Sequence, residues 1–255
     1  MNQERNITRL DAFTYRTLIE GDPVMLIPVG SVEQHGPHMP LGVDMMLSTK
    51  MAELVAEKTG ALVGPTITTG YKSQQRSGGG NHIVGSFGFD AATVIGICRT
   101  FVQEFARHGL KSVAFVNGHY ENYQFIYEGV DLALRDLAVE GAPQVMLLSY
   151  WDFVTEKVIS RLYPDGFPGW DVEHGGVMET SLMLEYFPDL VRMERVMDLP
   201  AADLPPYDLL PVDPTLTPES GCLSSAREAS AEKGRILADS IVSGIIDALR
   251  SRFMV

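Results

Sequence analysis

Cysteine is nearly absent: among 255 residues only Cys98, in a helix-like apolar run, and Cys222, in a loop, carry thiols. Two are too few for a disulfide framework and fit a reducing compartment. Long apolar runs are missing as well. Stretches such as Val24–Val29 and Val145–Leu148 fall far short of the roughly 18 to 20 residues a bilayer span needs, so no membrane partner is expected. Basic charge is the third deficit, with 20 Lys and Arg against 33 Asp and Glu and a formal net charge of −13. Such a chain repels phosphate backbones and offers no local basic stripe, which argues against a nucleic-acid partner. The N-terminal MNQERNITRLDAF lacks the apolar core of a signal peptide, so a cytoplasmic protein is expected. No G-x-S-x-G elbow occurs, which argues against a serine hydrolase.

What is present is an ordinary globular composition, 45% hydrophobic and 21% charged, without internal repeats. Short apolar runs alternate with longer helical patterns: Val24–Val29 then Met46–Thr59, Ala61–Val63 then Ala91–His108, Ser112–Val116 then Tyr123–Val139, Gln144–Tyr150 then Trp151–Leu162. That alternation predicts a mainly parallel sheet with helices on both faces, an α/β/α layering, in one domain over residues 1–255. Gly60, Gly109 and Gly141 follow helical stretches where left-handed caps are wanted, and Asp90 precedes one as an N-cap. The proline-rich stretch Leu199–Pro218 excludes regular helix and suits an arm over a neighbour. A last helix is expected from about Ser224 to Phe253, with Ile241, Ile245 and Leu249 on its apolar face.

Six histidines occur, and three of them sit beside acids in loops that follow expected strands. Glu33 and His35 stand two apart directly after Val24–Val29, and Asp44 closes the same loop. His119 and Glu121 repeat the spacing directly after Ser112–Val116. Residues two apart in an extended segment project to one side. In a parallel sheet the loops at the carboxyl ends of neighbouring strands converge on one crevice, which brings Glu33, His35, Asp44, His119 and Glu121 together. Five mixed nitrogen and oxygen donors with no thiolate exceed what one open four-coordinate ion uses and suit two divalent ions, Zn²⁺ or Mn²⁺, sharing a carboxylate. Against this stands the plainer reading of each pair as a surface hydrogen bond and of Asp44 as a helix N-cap. His82 and His108 read as structural, and His38 stays open.

Glu33-Gln34-His35-Gly36-Pro37-His38 with Asp44 resembles the signature of the creatininase (creatinine amidohydrolase) family, and Asn117-Gly118-His119 with Glu121 and Asn122 is similar to its second metal motif. The likeness to the creatininases proper extends through Tyr71–His82, Leu148–Phe153 and Gly169–Gly176. It implies the family's α/β/α fold, a homohexamer, and two ions per subunit, one at Glu33, Asp44 and His119 and the other at His35, Asp44 and Glu121. It also implies a catalytic role for His174 and Glu121 and a pocket lined by Ser77, Tyr120, Trp151 and Trp170. The implied reaction interconverts creatinine and creatine, a cytoplasmic step of creatinine degradation, through a metal-bridging hydroxide with His174 as proton shuttle. Trp170 suits stacking on a flat cyclic amide, and Asp171 and Glu173 are the nearby carboxylates for its guanidine-like edge. The alternatives are another amide for the same site, such as a pyrimidine formamide or a peptide end, and a non-catalytic metal-stabilised oligomeric subunit.

Overall fold

The computed structural model describes residues 3–137 and 141–253. Four short strands, β1 (Met25–Val29), β2 (Leu62–Val63), β3 (Ser112–Asn117) and β4 (Gln144–Ser149), form one all-parallel sheet in the order β2-β1-β3-β4. Met25 pairs with Leu62 on one side and with Val113 on the other, and Ser112 pairs with Gln144.

Because side chains alternate across a strand, each strand feeds two cores. Met25, Ile27, Val113 and Phe115 pack with Val94, Cys98 and Ile126 of α4 (Ala91–Arg107) and α5 (Tyr123–Asp136). Leu26, Ala114 and Val116 face the opposite layer, built from α2 (Val43–Thr59), α7 (Val177–Tyr186) and α8 (Ala231–Arg252). The expected α/β/α layering is therefore present, with both faces of the sheet covered, which explains why β1 and β3 read as continuous apolar runs rather than alternating ones. No helix among the described residues is long and apolar enough to cross a membrane.

Several local expectations differ from the structure. The segment Trp151–Leu162 is not one helix: a 3₁₀ turn, Tyr150–Phe153, follows β4, and α6 (Glu156–Leu162) starts anew because the Thr155 side chain accepts from Val158 N. The last helix begins at Ala231 rather than Ser224, where the Ser230 hydroxyl accepts from Lys233 N. Gly60 and Gly109 are left-handed as expected, whereas Gly141 is not. The helix expected over Tyr123–Val139 is observed to Asp136, and residue 139 lies outside the described residues. Asp90 stands at the N-cap position of α4 but gives its carboxylate to Lys72 Nζ at 2.7 Å. The proline-rich segment is stitched to its own chain, since Gln75 Nε2 donates to Asp213 O at 2.7 Å and Thr217 Oγ1 donates to Gly79 O at 2.8 Å.

Candidate active site and metal centre

The sheet reverses winding between β1 and β3, the place where α/β sheets open a crevice at their carboxyl ends. The loop after β1 carries Glu33 and His35. The loop after β3 carries His119 and Glu121, and it is clamped at both ends by asparagines. Asn117 Nδ2 donates to His119 O at 2.8 Å, and Asn122 Nδ2 donates to Gly30 O at 3.0 Å, tying the two loops together. Asp44 lies in the first turn of α2, whose N-cap is Gly42, so Asp44 is not the cap. A side chain at Gly118 would put its Cβ 2.6 Å from Asp44 O, so the close approach of β3 to α2 requires glycine there.

Glu33, His35, Asp44 and His119 are all buried. Asp44 faces both ways: Oδ1 is 3.0 Å from His35 Nε2, and Oδ2 is 3.1 Å from His119 Nδ1. His119 Nδ1 is also 3.2 Å from Glu33 Oε1. The ring nitrogens that point away are engaged by backbone, His35 Nδ1 with Glu33 O at 3.2 Å and His119 Nε2 with Tyr71 O at 3.0 Å. That is the usual way a ligating imidazole is oriented, with its second nitrogen donating outward.

Three donor groups result, Glu33–Asp44–His119, His35–Asp44–Glu179 and Glu33–His35–His174, with Asp44 common to the first two. The first is the expected one. In the second, Glu179 stands where the resemblance implies Glu121. Glu121 Oε2 lies 3.2 Å from His119 Nε2, on the far side of that ring, and its Oε1 accepts from Gln74 N and Ser77 Oγ, both at 2.7 Å. The carboxylate nearest His35 after Asp44 is Glu179, with Oε1 at 3.5 Å from Nε2. Sequence reasoning missed it. Its acid sits in the first turn of α7, where a carboxylate ordinarily answers the helix dipole, and only the His174-Gly175-Gly176 stretch just before it could have drawn attention there.

The electrostatics ask for cations. Burial alone would raise the Glu33 and Asp44 carboxyls, yet the facing histidines hold both below their ordinary values. Burial opposes charge on His35 and His119, yet the surrounding carboxylates push both well above theirs. Glu33 Oε2 is buried without a hydrogen-bond partner, the ion-pair contacts of His35 Nε2 and Asp44 Oδ2 are not aligned as hydrogen bonds, and among the described residues no Lys or Arg forms a salt bridge with this cluster. Buried polar atoms left in this state fit divalent ions, which would satisfy the orphaned donors and the excess negative charge together.

His174 is buried with Nδ1 3.5 Å from Glu33 Oε1, and its ring lies 4.4 Å from that of His35. Above the cluster opens a cavity of about 320 Å³ whose lining includes Ser77, Tyr120, Trp151, Trp170 and Asp171. Tyr120 is 67% exposed and Trp170 43%, so neither is core. Trp170 heads a 3₁₀ turn, Trp170–Val172, and rests on Phe167 at 5.2 Å between ring centroids. Glu173 also borders the cavity, but its carboxyl is occupied: Met178 N donates to Oε1 at 2.6 Å and Tyr163 Oη to Oε2 at 2.8 Å. These bonds anchor the His174 turn to α7. Outside the centre, His108 Nδ1 pairs with Tyr15 Oη, and His38 is buried with Nε2 on Thr180 Oγ1. Burial and the neighbouring His35 push His38 down to about 4.

A layered parallel α/β sheet with histidines and carboxylates gathered around one shared aspartate at its carboxyl edge defines a metal-dependent hydrolase. The family model for creatinine amidohydrolase matches residues 8–249, and the chain belongs to the creatininase family. The creatinine amidohydrolase of Pseudomonas putida is 54% identical to it over 236 residues, 91% of each chain. A solved manganese creatininase superposes with a TM-score of 0.96 at 50% identity, covering 99% of this chain and all of the other. Two mutant creatininases, one of Zn–Zn type and one complexed with creatine, superpose with TM-scores of 0.97 and 0.96 at the same identity, over 99% of this chain and all of theirs.

Proposed function

We propose that this chain is a creatinine amidohydrolase that opens the cyclic amide of creatinine to creatine and closes it again. The observation that carries the reading is Asp44, shared between two donor groups, buried except for the half-buried Glu179, beneath an aromatic-rimmed cavity. Glu33, Asp44 and His119 would hold one divalent ion, and His35, Asp44 and Glu179 the other. Zn²⁺ and Mn²⁺ both suit such nitrogen and oxygen donors. When bound, the pair makes water nucleophilic near neutral pH and polarises the amide carbonyl.

The chain's own side chains do the rest. Trp170 and Tyr120 cover the flat ring and exclude water, and Asp171 faces its guanidine-like edge. Hydrolysis breaks the ring C–N bond, adds hydroxyl to the carbonyl carbon and requires a proton on the departing nitrogen. His174 takes that proton from the attacking water and returns it to nitrogen. Glu121, fixed by Gln74 N and Ser77 Oγ, works through His119 as a positioning residue.

The same reading makes residues 1–255 one catalytic domain, a cytoplasmic homohexamer serving creatinine degradation, with exposed Val84, Phe87 and Leu210 as subunit contacts. Creatinine turnover by the metal-replete protein, lost on chelation and restored by Zn²⁺ or Mn²⁺, tests the reaction. Inactivity on creatinine alongside hydrolysis of a formamide or a peptide end would transfer the site to another amide. Sedimentation as a monomer at micromolar concentration would remove the hexamer.

A further inference from the structure

His174 Nε2 has two close neighbours on one residue, the backbone oxygen of Gln34 at 2.8 Å and the side-chain Nε2 of Gln34 at 3.2 Å. The two hydrogens of that amide have other acceptors, Gly221 O at 2.7 Å and Gly78 O at 3.3 Å, and the amide oxygen accepts from Gly36 N at 3.0 Å. Flipping the amide would set its oxygen against the Gly221 carbonyl, two acceptors face to face. The amide orientation is therefore determined, and the nitrogen beside His174 cannot spare a hydrogen. A carbonyl oxygen only accepts, so His174 Nε2 must donate to Gln34 O.

We infer that Gln34 is a positioning residue that fixes the His174 ring, with Nε2 as the N–H that donates to Gln34 O and Nδ1 turned toward Glu33 and the interior of the centre. The side-chain amide keeps the carbonyl in place by bolting three segments together, the loop after β1, the turn at Gly78 and the turn at Gly221. The last contact is so close that a Cβ at Gly221, a left-handed residue, would lie 2.0 Å from Gln34 Oε1.

The inference rests on the reading of His174 as the proton carrier, and its test separates the two. The zinc-loaded protein is prepared with ¹⁵N-labelled histidine, and the His174 signals are assigned by their loss in His174→Ala. The expected spectrum shows Nε2 protonated. A His174 ring protonated on Nδ1 alone would overturn the inference, whether or not creatinine is turned over. Gln34→Met keeps the length and removes the tethers; it should mix the two tautomers and lower kcat by about 10- to 100-fold, part of the span of a general acid–base group. KM should move less than about threefold and both metals should remain. Gln34→Glu, which sets carboxylate oxygens against the Gly78 and Gly221 carbonyls, should be at least as impaired. A Gln34→Met protein with the wild-type spectrum and wild-type kcat would refute the role given to the side chain.

Discussion

Glu173 offers a stability measurement that follows from its surroundings alone. The carboxyl is buried, and burial pushes it up to about 7 from an ordinary 4.5 against the opposing hydrogen bonds from Met178 N and Tyr163 Oη. A folded value above the unfolded one means that the native state holds its proton after the unfolded chain has released it. Stability is then fully present below about 4.5 and is lost as pH rises through about 7. At about 1.4 kcal/mol for each tenfold change in the proton equilibrium, the whole interval amounts to about 3 kcal/mol, of which about 2 remains to be lost above pH 5.5.

Glu173→Gln removes the titration and little else. The amide oxygen still accepts from Met178 N, and the Tyr163 hydroxyl can turn from donor to acceptor to meet the new NH₂ group. Urea unfolding of both proteins, metal-replete and at one protein concentration, at pH 5.5 and 8.5 gives a difference of differences from which pH-independent effects cancel. The variant should gain about 2 kcal/mol on wild type between the two pH values. A gap that stays constant would show that Glu173 does not change protonation in this window, and the account of its burial would fall.

Asp44→Ala should empty both metal positions together, whereas Glu179→Gln should release only the ion on the His35 side; elemental analysis finding two equivalents in the first variant would defeat the shared-carboxylate assignment. His174→Ala should lower creatinine turnover by roughly two to four orders of magnitude with metal content unchanged, and loss of metal would recast it as a ligand. Trp170→Ala should cut turnover strongly while shifting unfolding free energy by less than about 1 kcal/mol, because the ring is 43% exposed. A destabilisation of about 3 to 5 kcal/mol, the mark of a buried aromatic, would contradict its place at the cavity rim.

What the sequence disclosed depended on how local the determining physics was. β1 and β3 were legible because a central parallel strand is apolar on both sides, so Met25–Val29 and Ser112–Val116 needed only their own residues to be read. The pairs Glu33/His35 and His119/Glu121 were legible because a spacing of two after a strand is a local statement. The break after Phe153 was less so, since the cap that restarts the helix is one threonine hydroxyl in an otherwise helical pattern.

Glu121 and Glu179 show where local reading stops. Both are acids near a histidine, and Glu121 has the better spacing. Yet the turn after β3 places Glu121 behind His119, on the nitrogen that faces away from Asp44, while Glu179 reaches the His35 side from a helix in the opposite layer. That Glu179 comes beside His35 is decided by how α7 packs against α2 and α8, a relation between residues 144 positions apart. Gln34 belongs to the same class. Between two conspicuous ligands it reads as a spacer, and its function becomes visible only when the four backbone groups it touches, at Gly36, Gly78, Gly221 and its own carbonyl beside His174, are brought within hydrogen-bond reach. The pairs Glu33/His35 and His119/Glu121 are written locally, and the placing of Glu179 and Gln34 beside them is a property of the packed fold.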